Sequence, residues 1–129
     1  MDILRSWIIA VLVFLGLNFL ISVVATAGIG IMYALPPVMA ALAACAYHAE
    51  RGVGGWARHL LAVFPIPILM NSYGVIRLTG FPTDSQEWTM LLIAAGAGAL
   101  TAAVGFGIVM LTRLMLSRRS TNDSWLAAE

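Results

Sequence analysis

The chain of 129 residues has little charge, and none of that charge is carried by lysine. Charged residues are 10% of the sequence, whereas a soluble domain carries roughly 25%. This shortage excludes most water-soluble folds, and a net charge of +1 offers no basic face for nucleic acid. The hydrophobic fraction of 61% excludes disorder. An integral membrane protein is left, in agreement with the mean hydropathy of +0.95.

Cysteine is also scarce, since Cys45 is the one cysteine of the chain. An internal disulfide is therefore excluded. Because Cys45 lies in an apolar run, we interpret it as a small hydrophobic residue.

Long apolar segments fill most of the chain. A spanning helix needs about 20 mostly apolar residues, and no acidic or basic side chain occurs from Ser6 to Tyr47. That run suits a hairpin of two spans. We predict an all-α integral membrane protein, with four transmembrane helices in one compact bundle that forms a single domain over 1–129. The predicted spans are 6–27, 32–49, 57–76 and 88–112, followed by a short tail, 113–129.

Three boundary features qualify this prediction. The second span begins between Ile31 and Pro36, and the later start gives a short helix whose first turn suits proline. The small residues at 25–27 have the form of a signal-peptidase site, but the preceding apolar run exceeds the usual 7–15 residues, so we expect no cleavage. Thr83 or Asp84 is predicted to cap the fourth helix, with Glu87 completing a capping box.

The arginines are concentrated on one side of the four predicted spans. That side receives Arg5, Arg51, Arg58, Arg113, Arg118 and Arg119, and the other side receives Arg77. The positive-inside rule therefore predicts that both termini are cytoplasmic. The use of arginine in place of every lysine is typical of a GC-rich bacterial genome, so we expect a bacterial inner membrane protein.

Small residues recur at four-residue spacing in two spans. One row is Ala95, Ala99, Ala103 and Gly107, a second is Ala94, Gly98 and Ala102, and a third is Ala40 and Ala44. Small residues let membrane helices approach closely. Two interpretations stay open: packing within the bundle, or docking of a second subunit on the fourth helix.

Two prolines lie in the third span. Pro65 and Pro67 each remove a backbone donor, which frees the carbonyls of Leu61 and Val63. Freed carbonyls in hydrocarbon need partners from neighbouring helices, water or local geometry. We predict a structural kink, although interrupted helices bind substrate in some transporters.

A few neutral polar residues lie at membrane depth, namely Asn18, Ser22, Asn71 and Ser72. We interpret them as interhelical hydrogen-bonding groups, with a ligand-contacting patch as the alternative. No charged residue lies deep in a predicted span, whereas proton-coupled carriers place ionisable groups there. The small multidrug-resistance transporters use a glutamate in their first helix. This chain has only Asn18 there, so it does not resemble them.

His48 and His59 lie near the predicted cytoplasmic interface, with Cys45 one turn before His48. The two histidines are weak candidates for metal ligands, because no ligand pair has a dedicated spacing, and we predict no metal. Ala44 and His48 have an Ala-x-x-x-His form that resembles the chlorophyll-binding motif of antenna polypeptides. A pigment- or haem-associated subunit is thus a minor alternative to a protein without cofactor.

The functional prediction is a non-enzymatic protein, because no nucleophile–base set is spaced to act. We favour an accessory or assembly subunit that packs against a larger membrane complex through its small-residue faces. The alternative is a small dimeric channel or a transporter of an uncharged solute, which the proline-kinked helix and the polar residues support. The expected partners are the lipid bilayer and other membrane subunits or a second copy, and not nucleic acid.

Overall fold

The computed structural model describes residues 2–24, 34–50 and 55–126, without the side chains of 24 and 118–126. Within these ranges the protein is helical and contains no strand. The helices are α1 (Asp2–Val24), α2 (Leu35–Glu50), α3 (Trp56–Val63), α4 (Pro65–Thr79) and α5 (Ser85–Leu126).

The helices α3 and α4 are the two halves of one helix that is interrupted at the prolines. The break falls at Phe64, directly before Pro65, and the Phe64 N–H still donates to the Leu60 carbonyl at 3.0 Å. The helix is thus interrupted at the predicted prolines, and Phe64 itself keeps α-helical backbone angles. With α3 and α4 taken as one, the described chain has four helices, as predicted.

Three of these helices are long and apolar enough to cross a membrane: Asp2–Val23, Trp56–Thr79 and Ser85–Ser117. The fourth, α2, has 16 residues and is about 24 Å long, shorter than the roughly 30 Å of a bilayer core. It begins at Leu35, so Pro36 and Pro37 occupy its first turn, as the later of the two predicted starts requires. Ile31, Arg51 and the small residues at 25–27 lie outside the described residues, as do the side chains of Arg118 and Arg119.

The helix α2 lies at the centre of the packing and contacts each of the other helices. Its Ala40 and Ala44 pack with Ala10 of α1 and Ile66 of α4. On a second side, Ala41 and Cys45 pack with Val63 of α3 and with Ala102 and Val109 of α5. Small side chains on α2 thereby let three other helices pack against it.

The helix α5 begins at a side-chain cap and extends past the end of the predicted span at 112. The Glu87 N–H donates to Asp84 Oδ1 at 2.8 Å, so the predicted cap at Asp84 is confirmed. Glu87 Oε2 accepts from the N–H and the hydroxyl of Thr83, one residue before the position that a capping box uses. The helix continues to Leu126 and therefore includes most of the predicted tail, 113–129. Arginine ends a membrane span but does not end a helix, and residues 108–126 contain no glycine or proline.

Candidate functional site

Two glycines of α5 allow this helix to approach other helices of the chain closely. A Cβ atom on Gly98 would lie 2.7 Å from the Pro67 carbonyl oxygen, and one on Gly105 would lie 2.7 Å from the Val38 carbonyl oxygen. Ala102, between these glycines, is fully buried. The row from Gly98 to Gly105 is therefore the face of α5 that packs within the chain. Of the predicted rows, Gly98 and Ala102 belong to this face, and Ala40 and Ala44 are likewise buried inside the chain.

The opposite side of α5 also carries small residues, of which Gly96 and Ala103 are exposed and Gly107 is half-buried. A Cβ atom on Gly96 or Gly107 would meet no atom within 4 Å. Ala103 is exposed, and Leu100 beside it is 70% exposed. At 100° per residue, Gly96, Ala103 and Gly107 lie along one line on the helix. We call these three residues the outward stripe.

The outward stripe differs from the predicted row of Ala95, Ala99, Ala103 and Gly107. A four-residue spacing turns by about 40° at each step around a helix of 3.6 residues per turn. Ala95 and Ala99 are consequently half-buried at the side, and the row reaches the exposed surface at Ala103. The exposed face is lined by Gly96, which the predicted row lacks.

A cleft of about 330 Å³ separates α1 from α4. Asn18 and Asn71 line it from the two helices, and Arg77 lies in its wall. Asn71 and Ser72 are half-buried on α4. The structure thus brings Asn18 and Asn71 to one cavity, as the ligand-patch alternative requires.

The hydrogen bonds of α1 correct the interhelical interpretation. Asn18 Nδ2 donates to the Phe14 carbonyl at 3.0 Å, and the Ser22 hydroxyl donates to the Phe19 carbonyl at 2.7 Å. Short polar side chains reach the carbonyl three or four residues earlier, so they are satisfied without a neighbouring helix. These bonds do not join helices.

The break at the prolines does lead to a hydrogen bond between two helices. The Leu61 carbonyl, freed by Pro65, accepts a hydrogen bond from Trp7 Nε1 of α1 at 2.9 Å. The sequence predicts the need for a partner there, but it does not identify Trp7 as that partner. An indole N–H near the end of a neighbouring span is the signal that identifies such a donor.

A sulfur and nitrogen cluster lies at the same end of the protein. Cys45 Sγ is 3.7 Å from His59 Nε2, and the rings of His48 and His59 have centroids 4.9 Å apart. His48 is 3% exposed, and neither of its buried ring nitrogens has a hydrogen-bond partner among the described residues. In the described part of the chain, no three His, Cys, Asp or Glu side chains already have a metal-binding arrangement.

The described arginines lie near two opposite ends of the helices, three at one end and one at the other. Arg5 and Arg58 are exposed near the starts of α1 and α3, which Trp7 and Leu61 join. Arg113 shares that end, because it acts electrostatically on both Cys45 and His59, and it lines a cavity of about 400 Å³ between α2 and α5. Arg77 lies near the far end of α4.

Comparison with protein-family models, with curated proteins and with solved structures finds no match to this chain. Its function is therefore inferred from the outward stripe, the α1–α4 cleft and the cysteine–histidine cluster.

Proposed function

We propose that the protein is an accessory or assembly subunit of a larger membrane complex and that the outward stripe of α5 binds a helix of that complex. The observation that supports this proposal is the contrast between two pairs of glycines on α5. Gly98 and Gly105 are in close contact with backbone atoms of α4 and α2, whereas Gly96 and Gly107 face open space.

The open glycines favour a partner for a physical reason. Glycine destabilises a helix interior by about 1 kcal/mol relative to alanine. Lipid tails make no close backbone contact that offsets this cost, whereas a second helix does, through small residues on both surfaces. The large exposed side chain of Leu100 lies beside the stripe and suits the edge of such a contact.

The described residues support a non-catalytic role. Cys45 and His59 form a close nucleophile–base pair, but Cys45 is fully buried among core side chains, where a substrate has no access. Asp84 and Glu87 are engaged in capping α5.

We also propose that the protein lies in a bacterial inner membrane with both termini in the cytoplasm. Arg5, Arg58 and Arg113 lie at one end of the described helices, and Arg77 lies near the other. The positive-inside rule assigns the end with more arginine to the cytoplasm. A partner complex in the same membrane is then the natural ligand of the outward stripe.

A second candidate is a channel or transporter for an uncharged solute, which the α1–α4 cleft favours. The cleft holds about 330 Å³, enough for a small polar molecule, and presents the amides of Asn18 and Asn71. We rank it below the accessory role because intramembrane ionisable groups usually mark transport pathways. None lies deep in a predicted span of this chain.

Affinity purification from native membranes in a mild detergent tests both candidates. The accessory role predicts a stoichiometric larger partner that is lost when Ala103→Leu and Gly107→Leu are combined. Gly16→Leu is the matched control, because Gly16 is exposed on α1 and has no atom within 4 Å of its Cβ position. A free monomer or dimer that carries solute into liposomes contradicts the accessory role and favours the second candidate. A partner that stays bound to the double variant excludes the outward stripe.

A further inference from the structure

We infer that Cys45, His59 and His48 form a binding site for a single Cu(I) ion at the arginine-rich end of the protein. The site is independent of the proposed docking function. It combines one sulfur and two nitrogen ligands from α2 and α3, the elements that the residues 51–54 connect. Soft thiolate ligands select Cu(I) and Zn(II) over harder cations.

The distance between Cys45 Sγ and His59 Nε2 fits two ligands that share one ion. Metal–sulfur bonds of about 2.3 Å and metal–nitrogen bonds of about 2.0–2.1 Å place atoms 3.7 Å apart at a ligand–metal–ligand angle of about 115°. This angle is close to that of a trigonal site and leaves room for a third ligand.

His48 supplies the third ligand. Its ring is buried, both of its nitrogens lack a hydrogen-bond partner in the part of the chain that the structure describes, and its centroid is 4.9 Å from that of His59. Buried polar atoms are nearly always paired, and an ion is one of the usual partners of an apparent exception. The ligand atoms of the three side chains are not already arranged around one common point. Binding of the ion therefore requires the His48 side chain to turn toward Cys45, which is one helical turn away on the same face.

The net charge of the metal complex favours Cu(I) over Zn(II) at this site. One thiolate and two neutral imidazoles leave a Cu(I) complex neutral, whereas they leave Zn(II) with a net positive charge. An uncompensated charge in an apolar interior is unfavourable, and the guanidinium of Arg113 acts on Cys45 and His59 with the same sign. Glu50, the acidic residue of α2, is exposed.

The binding step is an exchange of a proton for the metal. The Cys45 thiol releases its proton to solvent as the sulfur–copper bond forms, and the histidines donate lone pairs from neutral rings. Copper enters and stays as Cu(I), so no electron is transferred. The half-buried His59 ring is the point of access, because Cys45 and His48 are buried.

Anaerobic titration of the purified full-length protein with Cu(I), in competition with a chromophoric Cu(I) chelator, tests the inference. One equivalent is expected to bind, and X-ray absorption is expected to show one sulfur and two nitrogen ligands. Cys45→Ser should abolish this binding. His59→Gln and His48→Phe should each weaken it by about 100-fold or more, since even groups outside the ligand shell change metal affinity by 10–100-fold.

Thr112→Val is the control variant, because Thr112 lies at the same end and donates its hydroxyl to its own helix, at Ile108. It should bind as the unchanged protein does, and circular dichroism of each variant separates loss of a ligand from loss of the fold. Absence of bound copper contradicts the inference and leaves Cys45 and His59 as a thiol–imidazole hydrogen bond. Sulfur-only coordination, or unchanged affinity in His48→Phe, also contradicts it.

Discussion

The indole nitrogen of Trp7 donates a hydrogen bond to the carbonyl oxygen of Leu61, with 2.9 Å between the two atoms. Leu61 lies four residues before Pro65, whose nitrogen has no hydrogen to donate. A side chain of α1 thus replaces a backbone donor that is missing between α3 and α4. This hydrogen bond thereby connects the helix break before Pro65 to the start of α1.

Trp7→Phe should destabilise the folded state by about 1–2 kcal/mol, because it leaves the Leu61 carbonyl without its partner. Reversible unfolding by SDS in mixed micelles measures this change. Pro65→Ala restores a backbone donor for the same carbonyl. Trp7→Phe should therefore have a smaller effect in the Pro65→Ala background, and equal effects in both backgrounds would show that the hydrogen bond does not stabilise the kink.

The glycines of α5 should respond to alanine in two different ways. Gly98→Ala and Gly105→Ala should each destabilise the fold by about 1–3 kcal/mol, because their new Cβ atoms would meet backbone oxygens at 2.7 Å. Gly96→Ala and Gly107→Ala meet no atom and should stabilise the isolated protein by up to about 1 kcal/mol. The same SDS titration checks all four variants. A similar effect at all four positions would contradict the assignment of inner and outer faces.

The cap of α5 should also be measurable. Asp84→Ala removes the acceptor for the Glu87 N–H and should lower stability by about 1 kcal/mol. Asp84→Asn keeps an oxygen in that place and should have little effect. Hydrogen exchange of the first-turn amides of α5 is the direct measurement. If the asparagine variant exchanges as fast as the alanine variant, the hydrogen bond is not the stabilising contact.

Asn18 and Asn71 line one cleft, but the described hydrogen bond of Asn18 lies within α1. A double-mutant cycle of Asn18→Leu and Asn71→Leu should therefore give a coupling energy below about 0.5 kcal/mol. A larger coupling measured by unfolding would restore the interpretation that these amides bond the two helices to each other.

Membrane orientation is testable with single cysteines in a Cys45→Ser background. Asp84→Cys should react with an impermeant maleimide added outside intact cells, because the loop before α5 is predicted to face away from the cytoplasm. Arg58→Cys should react only after the cells are opened. Labelling of position 84 from the cytoplasm would invert the topology.

Sequence and structure agree where the determinant is local. The residues around Pro65 predict the helix break and the free carbonyl of Leu61, and Asp84 and Glu87 predict the cap, because the residues of each signal are at most four positions apart. Trp7 as the donor to Leu61 was not predictable in this way. The two residues are 54 positions apart, and their contact depends on how α1 packs against α3.

Two features of α5 go beyond what the sequence pattern predicts. The charged residues after 112 were interpreted as the end of the membrane span, and the helix continues past them because no glycine or proline interrupts it. The spacing of small residues marks a row on the helix without showing what faces it. Only the packed structure distinguishes Gly98, which lies against α4, from Gly96, where an added Cβ atom would meet no atom of the described residues within 4 Å.

The helix α5 has 42 residues in one uninterrupted run, a length of about 63 Å. The helix is therefore about twice as long as the roughly 30 Å thickness of a bilayer core. The close contacts of Gly98 and Gly105 fix α5 to the rest of the protein at one part of its length. A small change of tilt at these contacts therefore displaces Leu126 most, because Leu126 lies farthest from them along the helix.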